Sequence, residues 1–129
     1  MSVKEWLILY VKHKDLVKRS LVEVKDAGDH VAFLFKDGVV LGYPMETLGL
    51  PEGVPGKAII ACLHTSGNVE TLIKRWKEFS AHPDLTIILT NPDRNEKVII
   101  HTRTHESVSD GSVAAGIRTM ALQVPYASE

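Results

Sequence analysis

The chain has 129 residues, of which 44% are hydrophobic and 24% are charged, a composition that excludes a disordered protein and fits one globular domain over residues 1–129. The formal net charge of −1 gives no basic surplus for binding nucleic-acid phosphates, although it leaves a local basic face possible. The single cysteine, Cys62, cannot form an internal disulfide, and no apolar run reaches the roughly 18 residues of a membrane span, so we expect a cytoplasmic protein with no membrane partner.

The first predicted element begins with a Ser-x-x-Glu capping box at residues 2–5. Apolar residues then recur at helical spacing as far as Val24, which favours one long or broken helix over residues 3–26. Because residues 6–11 are continuously apolar, the alternative is a buried strand there, followed by a helix over residues 15–26.

A β-hairpin is predicted next. Two apolar runs, over residues 30–35 and 39–43, flank the turn at residues 36–38. Asp-Gly between apolar runs is a strong hairpin signal because glycine accepts the positive φ that a tight turn requires. Residues 45–56, rich in proline and glycine, are predicted to form an irregular loop.

The remaining pattern predicts a strand–helix–strand unit and two further elements. Residues 58–63 and 85–90 are continuously apolar, as in strands buried on both faces, and a helical apolar stripe over residues 69–79 separates them. Such a unit is expected to be a right-handed βαβ crossover. A short antiparallel strand over residues 97–101 and a helix over residues 111–122 follow. The predicted order, α-β-β-β-α-β-β-α, indicates an α/β fold with a mixed sheet and flanking helices.

The first candidate site lies where the two parallel strands end, because ligands of open α/β sheets collect beyond the carboxyl ends of such strands. The free amides at the start of the middle helix suit a phosphate or a carboxylate, and the end of the second strand should lie nearby. The alternative is that Ser66 only caps the helix and residues 91–93 only turn the chain. The candidate ligand-binding residues at this end are His64, Thr65, Ser66, Gly67, Asn68 and Asn91.

The second candidate site is the string of residues 101–105, which reads His-Thr-Arg-Thr-His. In an extended chain His101, Arg103 and His105 share one face, where the imidazoles could move protons or bind a metal and the guanidinium could hold an anion. A zinc set that adds Cys62 and His64 to these histidines matches no fixed ligand spacing, so we expect no metal and no cofactor. The alternative is an edge strand with its polar residues outward, beside a buried structural cysteine.

Familiar catalytic motifs are missing from the sequence. It contains no nucleophile elbow, Walker loop, glycine-rich dinucleotide fingerprint or Cys-x-x-Cys pair. These absences weigh against the common nucleotide-binding and redox chemistries. Basic residues in the first and middle helices are interspersed with acids, which favours solvated helix faces over a nucleic-acid patch.

The order of helix, hairpin, buried strand, amphipathic helix and buried strand resembles the core of the PD-(D/E)xK nucleases, the family that includes archaeal Holliday-junction resolvases. Residues 57–92 resemble that family's third strand, helix and fourth strand. The resemblance implies an Asp on the second strand and Glu-x-Lys on the third, which hold magnesium and position the attacking water. Here the third strand reads Ala61-Cys62-Leu63-His64, and Asp37 lies in the hairpin turn. The resemblance therefore implies a nuclease-like fold without metal-dependent cleavage.

We expect a non-catalytic binding or assembly protein that forms a homodimer or another homo-oligomer. Small residues over 113–117 would allow the last helix to pack closely against a partner or against its own sheet. One alternative is an enzyme that binds a small molecule or an anion with the loop at residues 64–68 and with His101 or His105. The other is a nucleic-acid-binding relative of the resolvases.

Overall fold

The computed structural model describes residues 1–54, 56–102 and 110–127. Helix α1 (Val3–Lys14) begins at Ser2, whose hydroxyl accepts a hydrogen bond from the amide of Glu5 at 3.1 Å. The helix ends where the carboxylate of Asp15 accepts hydrogen bonds from the amides of Ser20 and Leu21, at 3.0 and 2.8 Å. These two bonds turn the chain out of the helix and into a strand.

The predicted helix over residues 3–26 is therefore wrong beyond α1, because Leu21–Asp26 forms strand β1. The alternative of a strand at 6–11 and a helix at 15–26 is wrong as well. Strand β1 contains a register shift at Val22, with Leu21 and Glu23 paired to consecutive partners on the neighbouring strand. The bulge puts Leu21 and Val24, three residues apart, in the same core cluster, and so reproduces the spacing of a helix.

Six strands form one mixed sheet in the order of the chain. They are β1 (Leu21–Asp26), β2 (Val31–Phe35), β3 (Gly38–Pro44), β4 (Ala58–Leu63), β5 (Leu85–Asn91) and β6 (Glu96–His101). Strands β1, β2 and β3 form an antiparallel meander, β3, β4 and β5 are parallel, and β6 returns antiparallel to β5. The predicted hairpin, both buried strands and the antiparallel last strand are confirmed, and so is the α/β class with a mixed sheet.

Three further helices lie along the second half of the chain. The predicted middle helix is divided at Arg75 into α2 (Ser66–Lys74) and α3 (Trp76–Ser80). The last helix, α4 (Asp110–Ala121), lies within a residue of its predicted bounds. Val113 and Ile117 of α4 are buried, whereas Gly116 is exposed, so the helix packs its apolar stripe on its own sheet.

The sheet separates two hydrophobic cores. Alternate residues of β4 and β5 supply both, because successive strand side chains point to opposite faces. The core on the side of α2, α3 and α4 includes Ile60, Cys62, Leu72, Phe79, Ile87, Leu89, Ile100 and Ile117. The core on the side of α1 includes Leu7, Val11, Val31, Phe33, Ala61 and Ile88.

Polar contacts attach the first half of α1 to the end of the sheet at which β3, β4 and β5 finish. The Lys4 ammonium contacts the Asp26 carboxylate at 3.1 Å and the carbonyl oxygen of Gly28 at 2.8 Å. The Trp6 indole donates a hydrogen bond to the side-chain oxygen of Asn95 at 2.9 Å. Among the helices of the described ranges, none has the length and apolar character needed to cross a membrane.

Candidate functional site

His64 directly follows β4 and is fully buried. Its Nε2 lies 2.9 Å from the carbonyl oxygen of Ala121 and 3.0 Å from that of Val124. Because both partners only accept hydrogen bonds, Nε2 is the donor and carries a proton. Nδ1 is buried without a hydrogen-bond partner among the described residues. The imidazole also contacts the ring of Tyr126, with 4.8 Å between the centroids.

Thr65 and Asn68 organise the start of α2. Thr65 is the N-cap, because its hydroxyl accepts a hydrogen bond from the amide of Asn68 at 3.1 Å, whereas Ser66 and Gly67 are exposed in the first turn. The buried side-chain amide of Asn68 accepts from the Leu48 amide at 2.9 Å and donates to two carbonyl oxygens at 2.7 Å. Those carbonyls belong to Glu46 and Leu63. Asn68 therefore joins the loop after β3 to the end of β4.

Residues 122–127, here called the C-terminal segment, lie across the ends of β4 and β5. The side chain of Asn91 donates hydrogen bonds to the carbonyl oxygens of Pro125 and Tyr126, at 3.1 and 3.4 Å. The amide of Ala127 donates to the carbonyl oxygen of His64 at 2.8 Å. At the predicted site, then, His64 and Asn91 lie at one end of the sheet as expected, and Nε2 of His64 and the side-chain nitrogen of Asn91 bind the chain's own backbone.

His101 lies at the opposite end of the sheet. It is paired with Thr86, near the start of β5, whereas the end of β4 is aligned with Thr90. The offset of about five residues along the strands separates His101 from the His64 end by roughly 17 Å. The structure therefore does not bring these two histidines together. Arg103 and His105, the other members of the predicted string, lie outside the described residues.

A shallow cleft of about 420 Å³ surrounds His101 at the starting ends of β4 and β5. Its polar lining includes Lys57, Asp84 and Thr86, with the hydroxyl of Thr86 lying 3.2 Å from Nδ1 of His101. An ammonium group and an imidazole that line one cleft can hold a small anion, although the Asp84 carboxylate opposes it. Sequence reasoning missed Lys57 and Thr86, yet the cross-strand pairing of Thr86 with His101 follows once β5 and β6 are aligned.

Cys62 is fully buried within the core on the side of α2, α3 and α4. Burial raises the pKa of its thiol to about 12, because desolvation penalises the thiolate. Since the thiolate is the form that attacks electrophiles and binds metals, Cys62 acts as a small apolar core residue. Within the described ranges, no group of three or more His, Cys, Asp or Glu residues is arranged to hold a metal ion.

An apolar surface on the meander was not predicted. Val24, Phe33 and Val40 contribute to the core beneath α1, so the residues alternating with them point to the other face of the sheet. On that other face Tyr43 packs against the core on the side of α2, α3 and α4. The apolar residues there that belong to neither core, and are partly or largely exposed, are Ala32, Leu34, Val39 and Leu41. We call this surface, together with Glu23 and Lys25 on β1, the meander face. A signal was present in the sequence, because residues 31–35 are apolar on both faces and require cover on both.

A comparison of the chain with protein-family models, curated proteins and solved structures found no match. The resemblance to the PD-(D/E)xK nucleases stays a prediction.

Proposed function

We propose that this chain is a non-catalytic binding and assembly domain that works as a homodimer. The observation that carries the proposal is the meander face. Leu34 lies directly opposite Val39, and Ala32 lies directly opposite Leu41, so the four side chains form one continuous apolar surface. Val39 is 54% exposed.

Scattered apolar residues on a protein surface need no explanation, but a contiguous apolar face of a sheet is different. A sheet normally buries such a face against a second layer. The other face of β2 has that layer in α1, since Val31 and Phe33 are fully buried beside Leu7. A second copy of the chain would provide the layer that the meander face lacks among the described residues.

The hydrogen bonds of the polar groups at the ends of β4 and β5 favour assembly over catalysis at that end of the sheet. The side chains of Asn68 and Asn91, and Nε2 of His64, bind the chain's own backbone. The Cys62 thiol is buried and protonated. An enzyme requires groups that reach a substrate, and these groups hold the fold together instead.

The test is the mass of the particle in solution. Light scattering and sedimentation equilibrium over a range of protein concentrations should give twice the chain mass of 14.3 kDa, with dissociation on dilution. A particle of one chain mass at every concentration up to the solubility limit would refute the proposal.

A further inference from the structure

We infer that two copies pack meander face to meander face around a two-fold axis running across the strands, so that Glu23 of each copy meets Lys25 of the other. This inference rests on the proposed homodimer and adds the surface and its register. The inference follows from the charges, the sizes and the positions of the six side chains of the meander face.

The meander face consists of two rows that cross β1, β2 and β3. The first row contains Glu23, Leu34 and Val39, and the second contains Lys25, Ala32 and Leu41. Since alternate residues of a strand share a face, the rows are about 7 Å apart. Each row has one charged residue on the edge strand and two apolar residues further in, and the two charges are opposite.

A homodimer with two-fold symmetry requires a surface that complements itself, because residue i contacts residue j wherever j contacts i. An axis across the strands, between the rows, places each row over the other. Glu23 then meets Lys25, and the large Leu34 meets the small Ala32. An axis along the strands would place Glu23 over Val39 and Lys25 over Leu41, which desolvates charges against apolar groups. The positions of the charged and apolar residues within the two rows therefore favour the axis that runs across the strands.

The two charges are available for such a contact. Glu23 and Lys25 are both exposed, and neither forms an ion pair within the part of the chain that the structure describes. Pairing of two β1 edges into one continuous sheet is the competing arrangement. The bulge at Val22 disfavours it, because a bulge disrupts the row of backbone groups that an added strand needs.

Charge reversal with mixing tests the register. In a Glu23→Lys homodimer both contacts would join two lysines, and in a Lys25→Glu homodimer both would join two glutamates. Each variant alone should dissociate about tenfold more readily than the wild type. A one-to-one mixture should recover the wild-type mass by sedimentation equilibrium, because the mixed dimer has opposite charges at both contacts.

Two matched controls accompany this experiment. Lys74→Glu and Asp93→Lys change the net charge by the same amounts at exposed positions away from the face, and should leave the dimer unchanged both alone and mixed.

Leu41→Lys should abolish the dimer, whereas Leu9→Lys, at a residue 53% exposed on α1, should not. Leu41 lies two strands in from the edge, so an edge-paired dimer would tolerate its replacement. If Leu41→Lys fails to fold by circular dichroism, Val39→Lys replaces it.

The outcomes separate the two claims. A wild-type monomer overturns both the homodimer and its register. A wild-type dimer that survives Leu41→Lys, or two single charge variants that do not recover on mixing, overturns the face or the register and leaves the homodimer standing. Recovery on mixing together with loss of the dimer in Leu41→Lys supports the inference.

Discussion

Replacing Gly42 by alanine tests how closely α1 packs on the sheet. Gly42 is buried in β3, and a Cβ added there would lie 2.8 Å from Cε2 of Phe33 and 3.0 Å from Cδ2 of Leu7. Carbon atoms in favourable contact are about 3.5–4.0 Å apart. Phe33 and Leu7 are fully buried, so one or both must move by roughly 0.5–1 Å within a packed core.

Overpacking of this kind costs about 1–3 kcal/mol of unfolding free energy. Alanine restores roughly 0.5–1 kcal/mol, because glycine loses more conformational entropy on folding. The expected net loss is therefore roughly 0–2.5 kcal/mol, centred near 1.3 kcal/mol. For a domain of this length that central value corresponds to a decrease in Tm of roughly 5 °C.

Gly116→Ala is the matched control, and its expected sign is opposite. An added Cβ at Gly116 meets no atom within 4 Å, and the residue is exposed within α4. Alanine should raise the unfolding free energy by about 0.5–1 kcal/mol, as expected within a helix. Both variants should be unfolded with urea at one protein concentration, because dimerisation would otherwise shift the midpoints. If Gly42→Ala stabilises the chain as much as Gly116→Ala does, the packing described for α1 is wrong.

Three other measurements test the interior and the first helix. Asn68→Ala should lower the unfolding free energy by about 1–3 kcal/mol, because it removes the partner of the buried Leu48 amide and of the partly buried Glu46 carbonyl. Ser66→Ala, at an exposed position, should change it by less than about 0.5 kcal/mol, and equal losses would contradict the assignment. Cys62 should react with a thiol reagent at about pH 8 only as fast as the chain unfolds, and at once in denaturant; rapid labelling of the folded chain would refute its burial. The pKa of Asp26 is lowered by the hydrogen bond from the Gly28 amide and next by Lys4. The stabilisation from this carboxylate is therefore complete above about pH 3.9, the pKa of Asp in the unfolded chain, and is lost as the pH falls through the lower pKa of the folded chain. NMR titration of the Gly28 amide should give that lower pKa. A midpoint at or above about 3.9 would contradict it.

Local signals predicted most of the sheet. For the hairpin turn and for the continuously apolar runs of β4 and β5, a few consecutive residues are enough to predict the structure, and all three predictions are confirmed. Strand β1 was missed because its bulge gives two core residues a spacing of three. The break at Arg75 was also missed, since the apolar stripe continues in phase from α2 into α3.

The chemistry of the candidate site was less predictable, because its contacts join distant parts of the chain. His64 binds carbonyl oxygens 57 and 60 residues away, and Asn91 binds carbonyl oxygens 34 and 35 residues away. No pattern near His64 or Asn91 indicates that a later segment will occupy their hydrogen-bonding groups. The position of these residues at a strand end was foreseeable, but their use as supports for the backbone was not.

The C-terminal segment has a quantitative consequence for any search for ligands at the ends of β4 and β5. Because the segment is covalently attached to the domain, it competes for His64 and Asn91 at an effective concentration on the order of millimolar, whatever the protein concentration. Dilution of the protein does not help a small molecule that is directed at the same groups. To displace the segment, the ratio of its concentration to its Kd must exceed the same ratio for the segment. Screening at micromolar ligand would therefore detect, at this end of the sheet, only compounds that bind these groups about a thousandfold more tightly than the segment does.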